Sequence, residues 1–178
     1  MSPYRSVRST NKVAWMAMSL ALCASVLARA AADCAQIDAK AAAGVLGVPA
    51  ARANINQGVH SKLPPDNMDL LSCAYFEATA DPMARTLSYQ IYTPIPKDLT
   101  DVYASLASGN FPRQQPFSPN VGTQSSGWFR SSVRDDTFEG YIAMRTGATV
   151  VTIKIGGMPS SDAVKNALIS AGKILAKP

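Results

Sequence analysis

From residue 34 onward, apolar and polar positions repeat with two different periods. In AQIDAKAAAGVLGVP, residues Ile37, Ala41, Val45 and Leu46 share one face at helical spacing, and Gly47 and Pro49 end the run. SCAYFEAT (72–79) and RTLSYQIYT (85–93) are short aromatic and β-branched runs. In the second, Leu87, Tyr89 and Ile91 alternate with Ser88, Gln90 and Tyr92, the pattern of a half-buried strand. The two runs predict a hairpin, and Pro94 and Pro96 stop it. KDLTDVYASLASG then sets Leu99, Val102, Tyr103 and Leu106 on one side of a helix closing at Gly109.

Residues 109–127 are broken by prolines and glycines and predict irregular chain. Three further strands follow, WFRSSVR (128–134), FEGYIAMR (138–145) and TVVTIKI (149–155). Phe138, Gly140, Ile142 and Met144 share one face, with Val151, Ile153 and Ile155 opposite them across a tight turn at Gly147. The chain closes with a helix whose stripe is Val164, Ala167, Leu168, Ala171, Ile174 and Leu175. Ser160 or Ser161 supplies its cap. The predicted order is α-β-β-α-β-β-β-α. This is an α+β fold with a mainly antiparallel sheet of about five strands and helices on one face.

The first thirty residues belong to a different class. MSPYRSVRSTNK is basic, VAWMAMSLALCASVL (13–27) is apolar, and Ala28-Arg29-Ala30 follows. A basic region, a short apolar core and small residues before a cut define a secretory signal peptide over 1–30, cleaved after Ala30 or alternatively after Ala32. Fifteen apolar residues in a helix cover about 22 Å, short of the roughly 30 Å of bilayer hydrocarbon. Leu22 before Cys23 and Asp33 before Cys34 are poor lipidation contexts. The expected product is one domain, 31–178, periplasmic or secreted, with no stable membrane insertion.

Removing that segment changes the charge. The whole chain carries 17 basic and 12 acidic side chains, for a net charge of +5. Arg5, Arg8, Lys12 and Arg29 lie in the leader, which leaves 13 basic against 12 acidic. A near-neutral chain without a basic cluster is not built for nucleic acid.

Outside the leader only Cys34 and Cys73 remain, and in an oxidising compartment the expectation is a disulfide between them. It would close a polar stretch, Asn54 to Leu70, that has little apolar material of its own. Two cysteines and one histidine cannot complete a structural zinc site, and neither a metal nor a cofactor is expected.

Candidate chemistry is sparse. His60 is the only histidine and falls in the stretch expected to be loop. Asp135 and Asp136 are adjacent turn residues, and Glu77 and Glu139 sit on strands facing solvent. A catalytic set is therefore not assigned. Aromatic residues are better supplied. A sheet covered by helices on one face leaves the other open, so Tyr92, Trp128 and Tyr141 are candidates for a binding patch. Phe111, Arg113 and Phe117, in the irregular stretch, form a second candidate surface.

Cys34 begins a Cys-helix-Gly-x-Pro stretch, CAQID to GVLGVP, and SCAYF carries the second cysteine. Over residues 34–76 this resembles small exported envelope proteins of unknown function, including a family of actinobacterial cell-envelope lipoproteins. The resemblance implies a disulfide-closed α+β envelope domain and transfers no catalytic residue. This chain departs from that family in lacking a good lipobox.

The expected function is a non-enzymatic exported binding module that engages a protein or an envelope component, of which an enzyme inhibitor is one form. Two alternatives stand beside it, a carrier of a small apolar ligand or lipid, and a hydrolase with a sparse signature. A continuous apolar cavity would favour the carrier, and a flat exposed aromatic face the protein partner.

Overall fold

A computed structural model of the chain describes residues 34–54, 58–63, 68–81, 84–109, 113–132 and 136–177. The expected leader, 1–30, and Phe111 lie outside them.

The described elements run α1 (Ala39–Leu46), β1 (Ala51–Ala53), β2 (Val59–Leu63), β3 (Met68–Glu77), β4 (Thr86–Thr93), α2 (Leu99–Ala107), β5 (Gln115–Phe117), β6 (Gln124–Ser131), β7 (Phe138–Thr146), β8 (Thr149–Met158) and α3 (Ser161–Leu175). All eight strands join one antiparallel sheet in the order β1-β3-β4-β8-β7-β6-β5. β2 lies beside the other half of β3. α+β and antiparallel are thus both correct, but the count of about five strands is too low and the expected order gives way to α-β-β-β-β-α-β-β-β-β-α.

The three additional strands are β1, β2 and β5. Each pairs with a single inner strand, β1 and β2 with β3, β5 with β6. β1 and β5 span only 3 residues each, and β5 contains Pro116. An edge strand takes its hydrogen bonds from a neighbour and needs no buried stripe of its own, so its sequence need not alternate. His60, expected in a loop, pairs with Leu71 from within β2.

Local chemistry explains the helix ends. The Asp38 side chain accepts from Ala41 N at 2.7 Å and starts α1. Gly47 closes it in the left-handed conformation, φ 63°. Arg85 donates to the orphan carbonyls of Leu46 and Gly47 at 2.8 and 2.9 Å. Ser160 caps α3, accepting from Ala163 N at 3.1 Å.

One sheet face carries the main core. Leu87, Tyr89, Ile142, Met144, Ile153 and Ile155 are buried there beneath α1 and α3. The predicted pairing across β7 and β8 is present, with Ile142 opposite Ile153 and Met144 opposite Val151. Gly140 brings α3 close: a Cβ there would stand 2.7 Å from Leu168 Cδ1 and 3.1 Å from the Trp128 carbonyl. The Cys34–Cys73 disulfide joins residues 39 apart, as expected. Tyr75 and Tyr89 reinforce it, both donating their hydroxyls to the Cys34 carbonyl, at 3.3 and 3.2 Å. Tyr75 also donates to the Ile37 carbonyl.

The helices do not all sit on one face. α2 packs Leu99 and Tyr103 on Ala143 and Val150, on the side of the sheet away from α1 and α3. Its periodicity fixed which side of the helix is buried, not which face of the sheet receives it. The 3-10 turn Pro96–Asp98, following the stop at Pro94, carries the chain over to that side.

Candidate ligand cavity

α2 has 9 residues, which at about 1.5 Å each make a rod of roughly 13 Å. It rests on β6, β7 and β8 and leaves the rest of its face without a helix. A cavity of about 370 Å³ occupies the uncovered part. A single cross-strand row forms much of its lining. Trp128 on β6 pairs with Tyr141 on β7, Tyr141 with Lys154 on β8, Lys154 with Ser88 on β4, and Ser88 with Ala74 on β3. Asn54, whose amide donates to the Ala74 carbonyl at 2.8 Å, ends the row.

Side-chain volume falls from Trp128 to Ala74, and that gradient makes the concavity. The Trp128 and Tyr141 rings stack with centroids 5.5 Å apart and 16° between planes. Successive residues of a row stand on neighbouring strands about 5 Å apart. Rings stacked along the row therefore turn the second face of Tyr141 toward Lys154 and the small residues Ser88 and Ala74. Tyr141 is anchored to α2, its hydroxyl donating to the Leu106 carbonyl at 3.2 Å.

The next row, Thr152, Gln90 and Ser72, adds hydroxyl and amide groups to the floor. Tyr92 donates to Gln90 Oε1 at 2.7 Å, and Gln90 Nε2 donates to Ser72 Oγ at 3.4 Å. Burial lifts the Tyr141 phenol above its ordinary pKa, and nearby Tyr92 adds to the rise, while a hydrogen bond with Thr152 opposes it. Tyr92 is raised for the same first reason, again opposed by Thr152. Both phenols stay protonated and neutral at physiological pH, so they offer the cavity hydrogen bonds and ring surface rather than charge.

The charge at the site comes from three side chains. A register shift between Phe138 and Gly140 against β8 displaces Glu139 from the regular ladder. Arg130 Nε and Nη2 both hold Glu139 Oε1, at 2.6 and 2.5 Å, and Arg130 also lies 6.0 Å from the Trp128 ring centroid. Lys154 Nζ stands farther off, 3.6 Å from Oε2, and its side chain is 58% exposed. Two cations thus share one carboxylate. Among the described residues no group of three or more His, Cys, Asp or Glu side chains is placed to hold a metal.

The expected site residues divide between the two faces. Trp128 and Tyr141 meet at the cavity, but Trp128 is only 5% exposed and forms a supporting wall rather than an open patch. Tyr92 is half-buried two rows further, beyond Gln90 and beneath α2. Phe117 lies on the opposite face, against Gly127 and edge-on to Phe129 at 6.1 Å. Arg113 is exposed in the loop before β5, with left-handed backbone, φ 62°. Ser72, Ala74, Ser88, Thr152, Lys154 and Arg130 were not singled out from the sequence. Their signal was present as the small or polar half of each strand's alternation, and only the strand order places those halves side by side.

Comparison of the chain with protein-family models, with curated proteins and with solved structures finds no match. No helix among the described residues is long and apolar enough to cross a membrane.

Proposed function

We propose that this protein is an exported, non-enzymatic binding domain whose working surface is the cavity on the α2 face, and whose ligand is a small molecule. The carrying observation is the concave cross-strand row, with an aromatic wall at one end and small residues at the other. A concavity of this size falls at the small end of the range typical of ligand pockets. Buried Trp128 and the polar floor favour a small ligand over a flat protein contact. The hydroxyl and amide groups of that floor offer a ligand more than apolar contact. The basic-apolar-small leader and the buried disulfide support export, since such bridges persist in oxidising compartments.

Native mass spectrometry of the protein recovered from its own cell envelope tests both halves. The expected mass is that of Ala31–Pro178 less two hydrogens, with a small companion retained. The companion should be missing from Ser88→Trp, which fills the middle of the row. An uncleaved chain overturns export, and a companion equally retained by Ser88→Trp overturns the site.

A further inference from the structure

The charges around the cavity narrow its ligand to a chemical class. Glu139 is engaged by two Arg130 nitrogens on one oxygen, while the more exposed Lys154 is held loosely at 3.6 Å from the other. Lys154, more exposed and more loosely held than Arg130, is the group with freedom to move onto a ligand. Its position in the row, between Tyr141 and Ser88, sets its charge between a ring face and the small residues.

The remaining lining constrains the body of the ligand. The Ser88 side-chain hydroxyl has no hydrogen-bond partner among the described residues, and Ser72, Gln90 and Thr152 continue the polar floor. Hydroxyls and amides in a floor call for a ligand that carries hydroxyls, because an apolar body would strip their water without replacing its hydrogen bonds. The open face of Tyr141 bears the negative side of the ring quadrupole, which suits the weakly positive C–H face of a saturated ring.

We propose that the cavity takes a free sugar acid, a hydroxylated ring with one carboxylate, in which Lys154 pairs with the carboxylate, Tyr141 stacks against the ring, and Ser88 bonds a hydroxyl. This rests on the cavity being the working site.

The test is calorimetric titration of the purified protein with glucuronate, glucose, benzoate and inorganic phosphate. Glucuronate should bind at least about tenfold tighter than glucose, which has the ring without the charge, because a hydrogen-bonded ion pair contributes on that scale. Benzoate and phosphate, lacking the hydroxylated ring, should bind more weakly than glucuronate. Lys154→Met should weaken glucuronate about tenfold and glucose much less. Its side chain is exposed and Glu139 keeps Arg130, so folding should survive, which an unchanged melting curve verifies. Equal binding of glucuronate and glucose, or glucuronate binding indifferent to Lys154→Met, overturns the assignment. So does benzoate or phosphate binding as tightly as glucuronate. Failure of the two readings is separable. Glucuronate binding that survives Ser88→Trp places the ligand elsewhere and removes the site. An absence of glucuronate binding, with a native companion still displaced by Ser88→Trp, removes only the ligand class.

Discussion

The two faces of the sheet are made by the same strands and have opposite characters. On the α1 and α3 face, β3, β4, β7 and β8 contribute Cys73, Tyr75, Leu87, Tyr89, Ile142 and Ile153, each at most 2% exposed. On the α2 face the same strands contribute Ala74, Ser88, Gln90, Tyr141 and Lys154, and the helix covers only one end. The first face is filled with large apolar side chains and stapled by a disulfide. The second is large at β6 and β7 and small at β3 and β4. Burial free energy therefore concentrates on one side, and the opposite side has room for a guest. A sheet whose stability is secured from one face can keep the other partly unfilled without losing its fold.

Removing the staple should show this asymmetry most strongly. Replacing Cys34 and Cys73 together by alanine should cost about 4 kcal/mol, the loop-closure estimate for a bridge of this span. Urea unfolding measures it, and a loss under 1 kcal/mol would mean that the buried tyrosines alone secure the N-terminal segment. Leu168→Ala, at the contact between α3 and Gly140, should cost about 3 kcal/mol. If that loss matched a surface substitution, the α3 face would not be the principal core.

Alkaline unfolding gives a smaller effect that reaches both faces. Burial, then the neighbouring Tyr75, hold the Tyr89 phenol above its ordinary 10.0, and burial does the same for Tyr141 across the sheet. The unfolded chain releases these protons first, so the stability is fully present below pH 10 and declines as pH rises above it. Tyr89→Phe with Tyr141→Phe should flatten this decline in unfolding curves collected at rising pH. An identical slope in wild type and variant would mean that neither phenol is shielded. Smallest of all, Ser88→Ala should shift stability by no more than about 0.5 kcal/mol, because its hydroxyl faces an unfilled space. A penalty near 2 kcal/mol would make the α2 face a packed interior and erase the contrast.

The legible part of the fold was the part written as periodicity. The five long strands and three helices follow from alternation of the kind in Leu87-Ser88-Tyr89-Gln90 and from the stripe Val164 to Leu175. The Cys34–Cys73 bridge followed from cysteine count alone. Edge strands β1, β2 and β5 escaped because they borrow their pairing from a neighbour. Trp128 and Tyr141 were recognisable as aromatic residues on the less covered face, whereas Phe117 has the same composition signal and lies on the other face, beside Gly127.

By itself, the sequence determined which residues of each strand are sisters on a face, since that depends only on the two-residue repeat of an extended chain. It also determined the helix stripes and the disulfide partners. Which strands are neighbours, and therefore that Trp128, Tyr141, Lys154, Ser88 and Ala74 form one row, was decided by tertiary structure. The placement of α2 on the far face was decided there too. Register and layer choice depend on how five separate segments bury their surfaces together, and no window along the chain contains that information.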